Sequence, residues 1–141
     1  MTLRAYTPDD FSTVEQWAKS RNMIIVPQLL SPNGFLVEDE SGPLAVAWVY
    51  LIYDCPKASI DDFYGRPGAS GQALRQAWQK LESAIFSFLS KLRDCQEKPM
   101  SYAVVTTFAD EQLSTFLKSD GWNVGAKPHV HVMKFIQYAS N

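Results

Sequence analysis

The chain has 141 residues, 46 % of them apolar and 20 % charged, with a formal net charge of −2. That length and apolar content suit one folded domain with a substantial core and exclude a disordered or fibrous chain. With no run of more than two basic residues, the sequence shows no electrostatic footprint for nucleic acid. Cys55 and Cys95, the only cysteines, lack the CxxC spacing of a zinc site and are expected to be reduced thiols. The opening "MTLRAYTPDD" has no apolar core of a secretory signal, and the longest apolar run, Leu44–Tyr53, is shorter than the roughly 20 residues a membrane helix needs. A soluble, cytoplasmic protein is expected.

In chain order, "LRAY" (Leu3–Tyr6) predicts a short strand. "TPDD" then offers Thr7 as helix cap, Pro8 at the first helical position and Asp10 three residues after the cap. The helix that follows places Phe11, Val14, Trp17 and Ala18 on one face. An irregular piece, "MIIVPQLLSPNG", closes on an Asn-Gly turn signal. Gly34–Asp39 and Pro43–Asp54 read as two strands of a hairpin, the second apolar on both faces and therefore central. Ala58–Tyr64 is expected as the third member of this meander, with Asp61 and Asp62 on opposite faces by alternation. Leu74, Trp78, Leu81, Ile85, Leu89 and Leu92 predict a long helix from about Gly71 to Arg93. Met100–Thr107 is expected as a strand parallel to the preceding one, because a helix connects them. "ADEQLSTFLKSDGW" predicts a helix stopped by Gly121, and His129–Ile136 a last strand. The fold class expected is α/β, a mixed α+β sheet of about six to seven strands with helices on both faces.

Between the expected third strand and the long helix lies "RPGASGQAL", Arg66–Leu74. Such a segment is either an ordinary helix-starting turn or an anion cradle. Small residues let a phosphate reach the backbone N–H groups, and the helix dipole adds about half a positive charge there. The absence of a GK[ST] ending excludes a nucleotide P-loop, and the absence of GxSxG excludes an α/β-hydrolase elbow.

The order of elements together with this loop resembles the GNAT family of acyl-CoA-dependent N-acetyltransferases, whose loop reads [Q/R]-x-x-G-x-[G/A]. Arg66, Pro67, Gly68, Ala69, Ser70 and Gly71 fit it, with Ala69 where a glycine is typical, and Gln72 continues in the family's style. The resemblance implies a single acyl-CoA-binding domain over residues 1–141. It implies acetyl-CoA as co-substrate, the diphosphate on Arg66–Gln72 and the pantetheine arm along the preceding strand, about Asp62, Phe63 and Tyr64.

Acetyl transfer to an amine needs a base for the amine proton, a proton for the departing thiolate and donors for the oxyanion. Asp61 and Asp62 are the candidate catalytic carboxylates, with Asp61 favoured as base. The family's proton-donating tyrosine four residues before a Gly-Phe pair falls here on Leu117, ahead of Gly121 and Trp122. Water, Tyr102 or Tyr64 would then protonate the thiolate, or the protein does not acetylate. Trp48, Tyr50 and Tyr53 either line an acceptor pocket near Pro27–Pro32 or simply pack the sheet. His129 and His131 share one strand face but have no identifiable third ligand, so no metal is expected. The partners expected are acetyl-CoA and an amine acceptor, not nucleic acid or membrane, and a homodimer through an edge strand such as Val130–Ile136. The alternative is a catalytically silent binding or interaction protein of the same fold.

Overall fold

The computed structural model describes residues 1–94, 96–100, 104–107 and 111–125. The contacts divide the chain into two units, Met1–Phe108 and Ala109–Asn141.

In the first unit, β1 (Thr2–Ala5), β2 (Gly34–Asp39), β3 (Gly42–Ile52), β4 (Lys57–Gly65) and β5 (Val104–Thr107) form one sheet in sequence order. The first three pairings are antiparallel, and β4 pairs β5 in parallel. α1 (Phe11–Lys19) joins β1 to β2, and α2 (Gly71–Lys91) supplies the crossover from β4 to β5. The mixed sheet and the element order are those expected, but the described residues hold five strands rather than six or seven. The expected last strand, with His129 and His131, lies outside the described residues, as do Cys95 and Tyr102. Of the strand expected over Met100–Thr107, Val104–Thr107 are in strand, Ser101, Tyr102 and Ala103 lie outside the described residues, and Met100 donates its N–H to the carbonyl of Leu92 at 3.0 Å.

Capping and charge fix the entry to α1. The Asp10 carboxylate accepts from the Thr7 N–H at 2.9 Å and from its hydroxyl at 3.0 Å. Arg4 grips Asp10 with both terminal nitrogens, at 2.7 and 2.6 Å, and donates from Nε to Glu38 at 2.9 Å. This pairing holds the Asp10 carboxyl down at about 2.

The two sheet faces are covered by different helices. On one, Val14, Trp17 and Ala18 of α1 pack with Ile25, Leu36, Val46, Trp48 and Tyr64. Gly34 lies opposite Trp48 because the indole crosses it; a Cβ there would sit 2.5 Å from the Trp48 Nε1. On the other face, Phe63 meets Trp78 of α2 edge-on at 5.1 Å, and Phe35 meets Phe88 at 5.8 Å. Ala77, Trp78, Leu81, Ile85 and Leu89 are the buried stripe of α2. Burying each large apolar side chain stabilises the fold by about 1.5–3 kcal/mol before entropy is counted. Among the described residues, no helix is long and apolar enough to cross a membrane.

In the second unit, α3 (Glu111–Ser119) is followed by Gly121 at φ +90°, the left-handed conformation that ends a helix most readily at glycine. Leu117 is buried.

Candidate active site

The middle of β4 is irregular. Val46 pairs with Tyr64 but Trp48 pairs with Asp61, so Asp62 and Phe63 together oppose Ala47. This β-bulge bends the strand, and Asp62 takes a left-handed φ of +56°. An aspartate tolerates that conformation better than a bulky residue does.

The bulge overturns the expectation that Asp61 and Asp62 face opposite ways. The register places Asp61 across from Trp48, on the α1 face. Asp62 reaches the same side, where its carboxylate accepts from the Tyr50 hydroxyl at 2.7 Å and from the Tyr64 hydroxyl at 3.2 Å. Alternation is restored only at Phe63, whose ring turns to Trp78 on the α2 face. Asp61 in turn accepts the Asp62 backbone N–H at 2.9 Å.

Burial first, then the bond to Asp62 and its charge, pushes the Tyr50 hydroxyl well above the usual phenol range; a Ser31 backbone hydrogen bond works the other way. Tyr64 is raised in the same sense, by burial first and then by the charge of Asp62. Both hydroxyls therefore keep their protons at neutral pH and act as donors. Before the carboxylates, β4 pairs in parallel with β5 from Lys57 opposite Val104 to Ile60 opposite Thr107.

Beyond the bulge, β4 ends at Gly65, against which Leu74 of α2 packs so closely that a Cβ would lie 2.5 Å from it. That contact folds the chain sharply from strand to helix. Gly68 turns the loop with φ +78°, and a Cβ on Gly71 would meet nothing within 4 Å. Ser70 caps α2, its hydroxyl accepting from the Ala73 N–H at 3.1 Å. Ala69 donates to the Arg66 carbonyl at 3.2 Å. The N–H groups of Gly68, Ser70, Gly71 and Gln72 meet no acceptor among the described residues, and together with the helix dipole they favour an anion.

The remaining candidates are dispersed. Arg66 directs its guanidinium at Asp39, with bonds of 2.6 and 3.1 Å, and at the Pro43 carbonyl, 3.2 Å away. This pairing holds Asp39 below the usual carboxylate range. The Phe63 and Tyr64 side chains pack inward, so their backbone is what remains for an extended ligand arm. Trp48 is wholly buried and packs the sheet, whereas Tyr53 is 79 % exposed in the β3–β4 turn. Sequence reading missed the partnership of Tyr50 with Asp62 and that of Asp39 with Arg66. Residues 12 and 27 positions apart carry no local spacing signal for such bonds.

No protein-family model matches the sequence, and no curated protein matches it either. Solved structures do. TTHA1254 from Thermus thermophilus superposes with a TM-score of 0.58 at 16 % identity, over 98 % of this chain and 99 % of that one. A probable acetyltransferase from methicillin-resistant Staphylococcus aureus gives a TM-score of 0.60 at 15 % identity, over 97 % and 98 %. N-acetylglutamate synthase from Neisseria gonorrhoeae, solved with coenzyme A and N-acetyl-glutamate, gives 0.58 at 8 % identity, over 84 % of this chain and 27 % of that one. Sequence order, mixed sheet and structural likeness agree: the chain has the fold of the GNAT acetyltransferases.

Proposed function

We propose that this protein transfers an acetyl group from acetyl-CoA to an amine by direct attack. The observation that carries the reading is the line of features along one strand and its exit. A carboxylate pair sits at a β-bulge, and a small-residue loop whose N–H groups meet no acceptor among the described residues follows a few residues later. The neighbour solved with coenzyme A supports the choice of cofactor.

In this reading the diphosphate rests on the N–H groups of Gly68, Ser70, Gly71 and Gln72, and the pantetheine arm lies along the backbone of Asp62–Tyr64. The amine nitrogen attacks the thioester carbonyl carbon, the amine proton passes to a carboxylate, and the C–S bond breaks as CoA departs as its thiolate, which takes a proton from water. Asp61, on the same side of the bulge, is the base in this reading, while Asp62 accepts a tyrosine hydroxyl on each oxygen. Asp62 fixes the two tyrosines and adds negative potential that favours a cationic or neutral acceptor over an anionic one.

A second reading, a silent binding protein of the same fold, is favoured by one observation. Leu117, at the position where the family carries its tyrosine, is buried and has no proton to give. Calorimetric titration of acetyl-CoA, with desulfo-CoA and ATP as controls, tests the shared premise. Binding of both CoA compounds and not ATP supports a CoA site. No binding up to about 1 mM, an affinity weaker than about −4 kcal/mol, defeats it. Gly71→Glu should abolish that binding without loss of fold, since a carboxylate would meet the diphosphate. An amine screen for free CoA release then separates the enzyme from the silent protein.

A further inference from the structure

We propose that Asp39 limits how tightly the loop at the head of α2 holds a diphosphate, by engaging the loop's one cationic side chain. The inference rests on the reading of that loop as a CoA cradle.

Arg66 is the only basic residue in Arg66–Gly71. Its Nη2 lies 2.6 Å from Asp39 Oδ2 and its Nη1 3.1 Å from Asp39 Oδ1, a two-pronged pair that also fixes the plane of the guanidinium. Nη1 donates in addition to the Pro43 carbonyl at 3.2 Å, and the Arg66 backbone N–H donates to the Leu44 carbonyl at 2.8 Å. Asp39 is itself held in place, because its Oδ1 accepts from the Ser41 N–H at 2.8 Å. The side chain and backbone of Arg66 are thus tied to the β2–β3 hairpin.

Two consequences follow for an anion on the loop. A guanidinium whose charge is already matched by a carboxylate offers little net attraction, so the site depends on backbone N–H groups and the helix dipole. The Asp39 carboxylate also repels a diphosphate directly, at a partly exposed position where salt still screens the effect. Asp39 is therefore an affinity-setting residue that touches no cofactor; it acts through Arg66 and through its own charge.

The experiment is calorimetric titration of acetyl-CoA into the full chain and four variants: Asp39→Ala, Asp39→Asn, Arg66→Gln and the Asp39→Ala/Arg66→Gln double variant. Asp39→Asn keeps the side-chain shape should Asp39→Ala disturb the hairpin. Both single Asp39 variants should bind about three- to tenfold more tightly at low ionic strength, and the gain should shrink as salt is raised. Arg66→Gln alone should weaken binding by about three- to tenfold at low ionic strength, because it leaves the Asp39 carboxylate unmatched near the diphosphate. In the double variant most of the gain should vanish. Unchanged or weaker binding by both Asp39 variants overturns the proposal, as does a loss of about a hundredfold or more from Arg66→Gln alone, which would place Arg66 on the diphosphate despite Asp39. Absence of binding by every protein, Asp39 variants included, defeats the CoA reading itself and the inference with it.

Discussion

The two faces of the sheet are built to different rules. The α2 face is packed by apolar side chains: Phe35 meets Phe88 and Phe63 meets Trp78, with Leu81 and Ile85 between them on the helix. The α1 face begins the same way, with Val14, Trp17, Leu36 and Val46, but it has a polar inlay. There Tyr50 and Tyr64 converge on Asp62, with Asp61 beside it on the same side of the bulge. One face anchors the strand, and the other uses the anchored strand to hold charge. A bulge can take that role only because its neighbours on the far side are rigidly packed.

The sharpest way to break this division is Asp61→Asn. Turnover of acetyl-CoA with an amine acceptor should fall by about 10²- to 10⁴-fold, the range for losing a positioned base, with little change in Tm. An equal loss of stability would mean the inlay is structural. Next in size is Leu81→Ala on the opposite face. Its cavity should lower stability by about 2–5 kcal/mol in a denaturant titration, while acetyl-CoA affinity holds at temperatures where the protein stays folded. Loss of affinity in step with stability would show that the faces are not separable.

The smallest expected effect lies at the Arg4–Asp10–Glu38 group, off both cores. The Asp10 carboxyl sits at about 2 against an ordinary 3.8, so its contribution is present above the unfolded value and disappears as pH falls through the folded one. Because Arg4 is about one-third exposed, the contribution is discounted to about 1 kcal/mol. Asp10→Asn should cost that amount at neutral pH and flatten the acid side of the stability profile; an unchanged acid limb would refute it.

Periodic and capping features of the fold were legible in the sequence. The stripe of α2, the double-sided burial of β3 and the Thr7–Asp10 cap each rest on spacings of a few residues, and each stands in the structure. The candidate site was legible as residue types: a small-residue loop before a helix and two carboxylates in the strand before it. What the sequence could not carry was geometry that depends on pairing. A one-residue irregularity opposite Ala47 brings Asp62 to the side of Asp61, and strict alternation cannot foresee it. Likewise Arg66 reads as a free cation at a loop rim until the β2–β3 hairpin delivers Asp39 to it.

The burial of tryptophans on opposite sides of one sheet has a spectroscopic consequence. Trp17 and Trp48 are sealed on the α1 side, at 5 % and 0 % exposure, and Trp78 on the α2 side, at 1 %. Each indole emits according to the polarity around it. Replacing Trp78 by phenylalanine leaves lamps that report mainly on the α1 side, and replacing Trp17 and Trp48 together leaves one on the other, with Trp122 common to both. Followed through unfolding, the two proteins would reveal whether the side that carries the carboxylates loosens before the anchoring side or whether both go dark together.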